Sequence, residues 1–348
     1  LSNKDLTGAN LSGVDLSNKD LTGTILANTN LSGANMIGVD LSNKDLTGAN
    51  LSAVDLSYKD LTEAILVNTN LTGANLSGVD LNENDLTGTV LVNANLSELD
   101  LSGIDLRNKD LTGVNLSNTV LKNLNLTGVN LNGVNLDNKD LTGVNLTNAS
   151  FVNASLSGAN LGKVDLRHKN LNGVNLSNAN LKNKNLTGLK LINANLEGAD
   201  LSNSNLTNSN LSNTNLTRTI FKNANLTGVN FTKANLEEAN LSNANLIKAN
   251  LSNSILSGTI LTNANLSEAN LSEVELGNPD LNKANTVGIN LSGTNLSNSN
   301  LNLTILTNAN LSGANLSGVD LSNRNLTLAN LSNTNLSDAN FIKANFEG

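Results

Sequence analysis

Leucine returns at every fifth residue, at 1, 6, 11 and onward to 346, and no insertion or deletion disturbs the spacing. Of the 70 positions so defined, 63 are Leu, five are Phe (Phe151, Phe221, Phe231, Phe341, Phe346), one is Met36 and one is Thr286. A period of five fits neither regular element. A helix would walk such leucines around its whole surface, and a strand would send alternate ones to opposite faces. We call the recurrent position the centre, the residue two before it the small slot, the one just before it the shoulder, and the two after it the turn slots. The second turn slot is Gly or Asn at 52 of its 70 occurrences and holds 25 of the 27 glycines. Gly and Asn accept φ > 0, which a type II turn requires at its third position. The pattern therefore predicts a corner every five residues. A chain that turns at that interval, with two inward positions per repeat, closes into coils that stack at about 4.8 Å.

Stretches such as "ANLSG" at 9–13, 74–78 and 309–313 resemble the pentapeptide-repeat family, and the resemblance runs the length of the chain. It implies an all-β fold, a right-handed quadrilateral β-helix (a β-solenoid) with four five-residue repeats per coil. On that basis residues 1–348 form a single solenoid of about 17 coils. The rod would be about 80 Å long at the inter-strand rise. Centre and small-slot side chains would point inward and the other three outward.

The small slot is not uniform. Ala fills 6 of its 28 occurrences between residues 4 and 139 but 19 of 41 later, so the first part of the chain should have a wider or less square section. Lys stands in that slot at 4, 19, 44, 59, 109, 139, 169 and 184, and Arg at 324; in the first six the next residue is Asp. An unpaired ammonium among leucines is costly. The expectation is that the stem fills space while the head reaches out to water and to the neighbouring carboxylate. Irregularity is expected at "VELGNPDLNKANTVGIN", with Gly277 out of its usual slot, Pro279 removing a backbone donor, and Thr286 placing a hydroxyl where a leucine should pack.

The net charge of −8 is unevenly spread. Residues 1–140 carry 17 acids against 8 Lys and Arg, whereas 141–348 carry 12 against 13. With 20 residues per coil, Asp20, Asp40, Asp60, Asp80 and Asp100 would form one column, about 5 Å apart. Such carboxylates should repel, raise one another's pKa values and attract a basic partner. The alternative is that Asp is simply a permitted shoulder residue and the column a solvated face.

Composition removes most site chemistry: one His, one Pro, one Met and no Cys or Trp. There is no disulfide framework or thiolate metal site. The glycines recur at turn spacing and form no phosphate loop. His168, in "DLRHKN", reads as an exposed corner residue without a nucleophile or orienting carboxylate. Asp alone would hold only hard cations, weakly. No enzyme activity, metal or cofactor is expected. No apolar run approaches 18 residues, so no membrane span is expected. Leu1 suggests a processed form or a piece of a longer chain.

Three functional classes remain. The first is a structural or protein-interaction scaffold presenting flat polar faces. The second follows from the resemblance: some bacterial pentapeptide-repeat proteins mimic duplex DNA, bind type II topoisomerases such as DNA gyrase, and protect them from quinolones. An acidic column fits that role, although the unbroken register lacks the protruding loops some of those members use. The third, an ice- or surface-binding solenoid, ranks last because Arg107, Lys122, Arg167, Lys182 and Lys222 interrupt the first turn slot. The expected partner is a protein, with self-association through uncapped ends and no direct nucleic-acid binding. Dense N-L-S and N-L-T sequons, as at Asn10 and Asn185, would risk heavy glycosylation on eukaryotic secretion and point to a bacterial cytoplasm.

Overall fold

A computed structural model describes residues 1–275, 281, 284–297, 301 and 305–347. Gly277 and Pro279 lie outside the described residues. Among those described there is no helix, and none that could cross a membrane. Instead the shoulders form parallel bridges, each to the residue 20 positions on, as in Asn10↔Asn30, Asn30↔Asn50 and Asn205↔Asn225. That register gives four repeats per coil.

Corners form as the second turn slot predicts. The small-slot N–H donates to the carbonyl of the centre three residues before, as from Thr24 to Leu21 at 2.9 Å and from Ala224 to Phe221 at 2.9 Å. The residue between them takes the left-handed conformation, even where it is Tyr58, Glu63, Arg218 or Leu328. Glu83 and Lys163 are the described exceptions. Gly often follows a larger residue 20 positions on for a steric reason. A Cβ on Gly38 would lie 2.2 Å from Asn18 Oδ1, and one on Gly78 would lie 2.3 Å from the Tyr58 ring.

The chain divides into two compact units, Leu1–Ser155 with Ala159–Asp165, and Leu156–Gly158 with Leu166–Gly348. In each, centres and small slots supply the core: Leu46, Leu71 and Leu76 in the first and Leu206, Leu226 and Leu246 in the second are fully buried. Phe221 and Phe231, ten residues apart and thus half a coil, meet edge to face with centroids at 6.0 Å. Such a pair adds about 1 kcal/mol beyond the area it buries.

Most polar small slots donate to the coil before, while Thr119, Ser204 and Ser254 turn back to the centre three residues earlier. Thr69 Oγ1 donates to Leu46 O at 2.9 Å and Thr219 Oγ1 to Leu196 O at 2.8 Å, in each case to the carbonyl 23 residues before. Asn84 does the same to Leu61 O at 3.0 Å. Three lysines also donate to the coil before, at the carbonyl 20 residues back and, for Lys109, 23 as well, which corrects the expectation that the head reaches the neighbouring carboxylate. Lys59 Nζ donates to Val39 O at 3.1 Å, Lys139 Nζ to Thr119 O at 3.2 Å, and Lys109 Nζ to both Leu86 O and Thr89 O. These three ammoniums sit half-buried over carbonyls of the preceding coil, and burial pushes each below the usual lysine pKa. Only Lys4 and Lys19 are exposed heads. Thr286 is buried, yet its hydroxyl is not stranded, because it donates to the Ile305 carbonyl.

Candidate interaction face

The shoulder Asp and Asn side chains are positioned by a local bond. The Oδ1 accepts the N–H two residues on, closing an Asx turn that aims the side chain outward. Thr22, Ser42, Thr62, Asn82 and Ser102 donate in this way to Asp20, Asp40, Asp60, Asp80 and Asp100, at 2.8 to 3.0 Å. All five aspartates are exposed, and the 20-residue register of the flanking shoulders puts them in one line.

Their ionisation differs from expectation. Hydrogen bonds from the side chain and then the backbone of the residue two places on hold Asp20, Asp40, Asp60 and Asp100 below the ordinary carboxylate pKa. Repulsion is present, since Asp40 pushes Asp60 upward, but it is the weakest of the influences there. Those four carboxylates are therefore fully charged near neutrality.

What separates Asp from Asn is the next coil. Asn30 Nδ2 donates to Asn10 Oδ1 at 3.0 Å, Asn50 to Asn30 at 3.2 Å and Asn70 to Asn50 at 3.1 Å, an amide ladder along the coils. An Asp can receive from the coil after it, as Asp15 does from Asn35 at 2.9 Å and Asp55 from Asn75 at 2.9 Å. It has no donor for the coil before it, so over Asp or Asn it sets oxygen against oxygen.

The backbone records the difference. Every Asp shoulder from Asp40 to Asp140 lacks both backbone bonds to the preceding coil, and Asn125 and Asn135 share the gap. Asn50, Asn70, Asn75, Asn95, Asn115 and Asn130 keep both bonds. Asp20, Asp40, Asp60 and Asp80 consequently form no bridge, while Asp100 pairs only forward, with Val120. At Asp60, Asp110 and Asp140 a second cause adds to the first. The lysine just before each donates to the carbonyl, Val39 O, Thr89 O or Thr119 O, that the shoulder N–H would otherwise use. Asp200 is the informative exception: it bonds both ways to the preceding coil, and Lys182 neutralises its second oxygen at 2.9 Å.

Sequence reasoning located the acidic column but missed the Asx bonds, although Asp or Asn two residues before Ser or Thr is their local signal. It also missed the donors from the small slots. His168 is an exposed corner residue in the left-handed conformation, lying over Gly188. No cluster of potential metal ligands occurs among the described residues.

Comparison with known proteins places the chain in context. The family model described as pentapeptide repeats matches residues 5–43, 45–83, 74–113, 100–138, 110–148, 140–168, 170–208, 209–246 and 314–348. A second model, a pentapeptide repeat region, matches 229–306. The crystal structure of HetL, a pentapeptide repeat protein involved in heterocyst differentiation regulation from the cyanobacterium Nostoc sp. strain PCC 7120, is 27% identical over 70% of this chain and 87% of its own, with a TM-score of 0.24. Rfr23, from the cyanobacterium Cyanothece 51142, is 30% identical over 41% of this chain and 91% of its own, at 0.18. QnrB1, a plasmid-mediated fluoroquinolone resistance protein, is 16% identical over 63% and 92%, at 0.22. No curated protein matches.

Proposed function

Because this chain belongs to the pentapeptide-repeat family, we propose that it is a non-enzymatic scaffold that presents ordered polar faces to a protein partner. The observation that carries the reading is the outward amide ladder from Asn10 through Asn70, in which each side chain is fixed both by its own Asx turn and by an amide of an adjacent coil. A face whose side chains are already ordered loses little conformational entropy on binding. The right-handed quadrilateral winding, about 17 coils and one continuous solenoid over 1–348 belong to the same proposal. So does a bacterial cytoplasm, on the sequon density.

One observation favours a second reading, a DNA mimic that engages a type II topoisomerase. Asp20, Asp40, Asp60, Asp80 and Asp100 form an exposed line of carboxylates, four of them held in the charged form by their Asx bonds. QnrB1, described as a fluoroquinolone resistance protein, shares the repeat. A supercoiling assay with DNA gyrase tells the two readings apart. The scaffold reading expects micromolar protein to leave the rate unchanged. Inhibition that weakens steeply with salt, and disappears when all five aspartates become Asn in a folded protein, would establish the mimic instead.

A further inference from the structure

Between the coil edges 84–88 and 105–107 of the first unit lies a cavity of about 330 Å³, lined also by Asn82, Gly103 and Lys109. A closed edge pairs six backbone groups at this place. At 46–48, for example, Leu46 N–H meets Ile65 O, Gly48 N–H meets Val67 O, and Ile65 N–H meets Lys44 O. The corresponding N–H groups of Leu86, Gly88 and Asp105, and the carbonyls of Asn84, Asp105 and Arg107, have no partner among the described residues. Two causes meet here: Asp105 stands over Asp85, carboxylate over carboxylate, and at the adjoining corner the Lys109 ammonium stands on the Leu86 and Thr89 carbonyls.

The side-chain charges around this opening cancel. Arg107 holds Asp105 through Nε at 2.8 Å and through a second nitrogen at 2.5 Å. The positive charge of Lys109 is felt by Asp85. A free anion would meet Asp85 and a free cation would meet Arg107 and Lys109, so neither is favoured. What the opening offers is unpaired donors and acceptors facing each other at a corner, with the N–H groups of Leu86 and Gly88 two residues apart on one coil and the carbonyls of Asp105 and Arg107 two apart on the other.

We propose that this opening binds the main chain of a short, uncharged peptide that follows the corner, its N–H and C=O groups pairing with those left open on the two coils. The pairing is that of strand addition to an open sheet edge. The cavity volume lies at the small end of ligand sites, about 300 to 1,000 Å³, which suits a few small residues. The proposal rests on the reading that the partner is a protein, but its test uses a free peptide, so failure here leaves that reading standing.

The full chain, labelled with ¹⁵N-glycine, is titrated with N-acetyl-triglycine N-methylamide. Saturable shifts are expected at Gly88 and Gly103 in the millimolar range, with Gly48, on a closed edge, unmoved. The triple variant Asp85→Asn, Asp105→Asn, Lys109→Thr removes both causes and reproduces the arrangement at Asn50, Thr69 and Asn70, where the shoulder is bonded both ways to the coil before it. That variant should close the edge and abolish the shifts, and Asp85→Asn, Asp105→Asn with Lys109→Ala, which also removes the ammonium, should do the same. Acetate and tetramethylammonium, offered as an anion and a cation, should shift neither glycine. The proposal is overturned by an absence of saturable shifts, by equal shifts in the two variants with β-type circular dichroism retained, by shifts at all glycines alike, or by a response to either ion.

Discussion

The two units share one repeat and differ in how their coils are tied together. In the first, Asp shoulders and lysines in the small slot interrupt the ladder wherever they occur between 40 and 140. In the second, every shoulder from Lys190 to Glu275, most of them Asn or Ile but Asp200 and Glu275 among them, keeps its backbone bonds to the coil before, and the small slots are mostly Ala, Ser or Thr. The core is apolar in both, so burial alone does not decide how continuous the ladder is. Much of the difference lies at an outward atom, the amide nitrogen of Asn that can donate to the coil before or the carboxylate oxygen of Asp that cannot, and the small-slot lysines add to it.

The largest test of this contrast removes core volume from each unit. Leu226→Ala, in the tightly bonded second unit, should cost about 4 kcal/mol, and Leu86→Ala, beside the cavity where the coils can relax, about 2 kcal/mol. Urea unfolding of the two variants measures the difference, and equal costs would mean that the gaps do not soften the core.

Acid should act next, and on the first unit. A carboxylate whose folded pKa lies below its unfolded value stabilises the fold above that value and loses the contribution as pH falls through the folded pKa. Asp40, Asp45, Asp55 and Asp110 start from an ordinary value of 3.8 and are held lower, mainly by the side chain two residues on. Arg107 holds Asp105 down at about 2. In the second unit only Asp200 and Asp320 are so held among the described residues. Stability of the first unit should therefore drop between about pH 4 and pH 2. Tyr58, the only tyrosine in a chain without tryptophan, lies in that unit and reports it by fluorescence, while hydrogen exchange follows the second. Simultaneous loss of both units would break the comparison.

The smallest effect restores a donor. Asp40→Asn places an amide over Asp20 and should slow hydrogen exchange at Leu21 and at the substituted position itself, while raising the unfolding midpoint slightly. Unchanged exchange at Leu21 would assign the gap to the bulk of Lys19 and Val39 and not to the carboxylate.

Much of this fold was legible from the period alone. Leucine every five residues specified the inward set, and Gly or Asn in the second turn slot specified the left-handed corner, down to residues such as Tyr58 that adopt it because their neighbours do. The fate of Lys59, Lys109 and Lys139 was not legible, because their partners lie 20 or 23 residues earlier and become neighbours only once the coil register is known. The sign of the carboxylate shifts was missed for a different reason. Repulsion within the column was visible in the sequence, but the nearer Asx bonds outweigh it.

The covering of Gly38 by Asn18 and of Gly78 by Tyr58 also constrains how such a chain can change length. Inserting one five-residue repeat would keep every leucine buried, yet it would rotate all later residues by a quarter of a coil. Where the coils on either side of the insertion meet, each large turn residue would then lose its glycine, and each asparagine its amide neighbour. Inserting 20 residues disturbs neither. Growth or shortening by whole coils is thus the only change of length that preserves the match between one coil and the next.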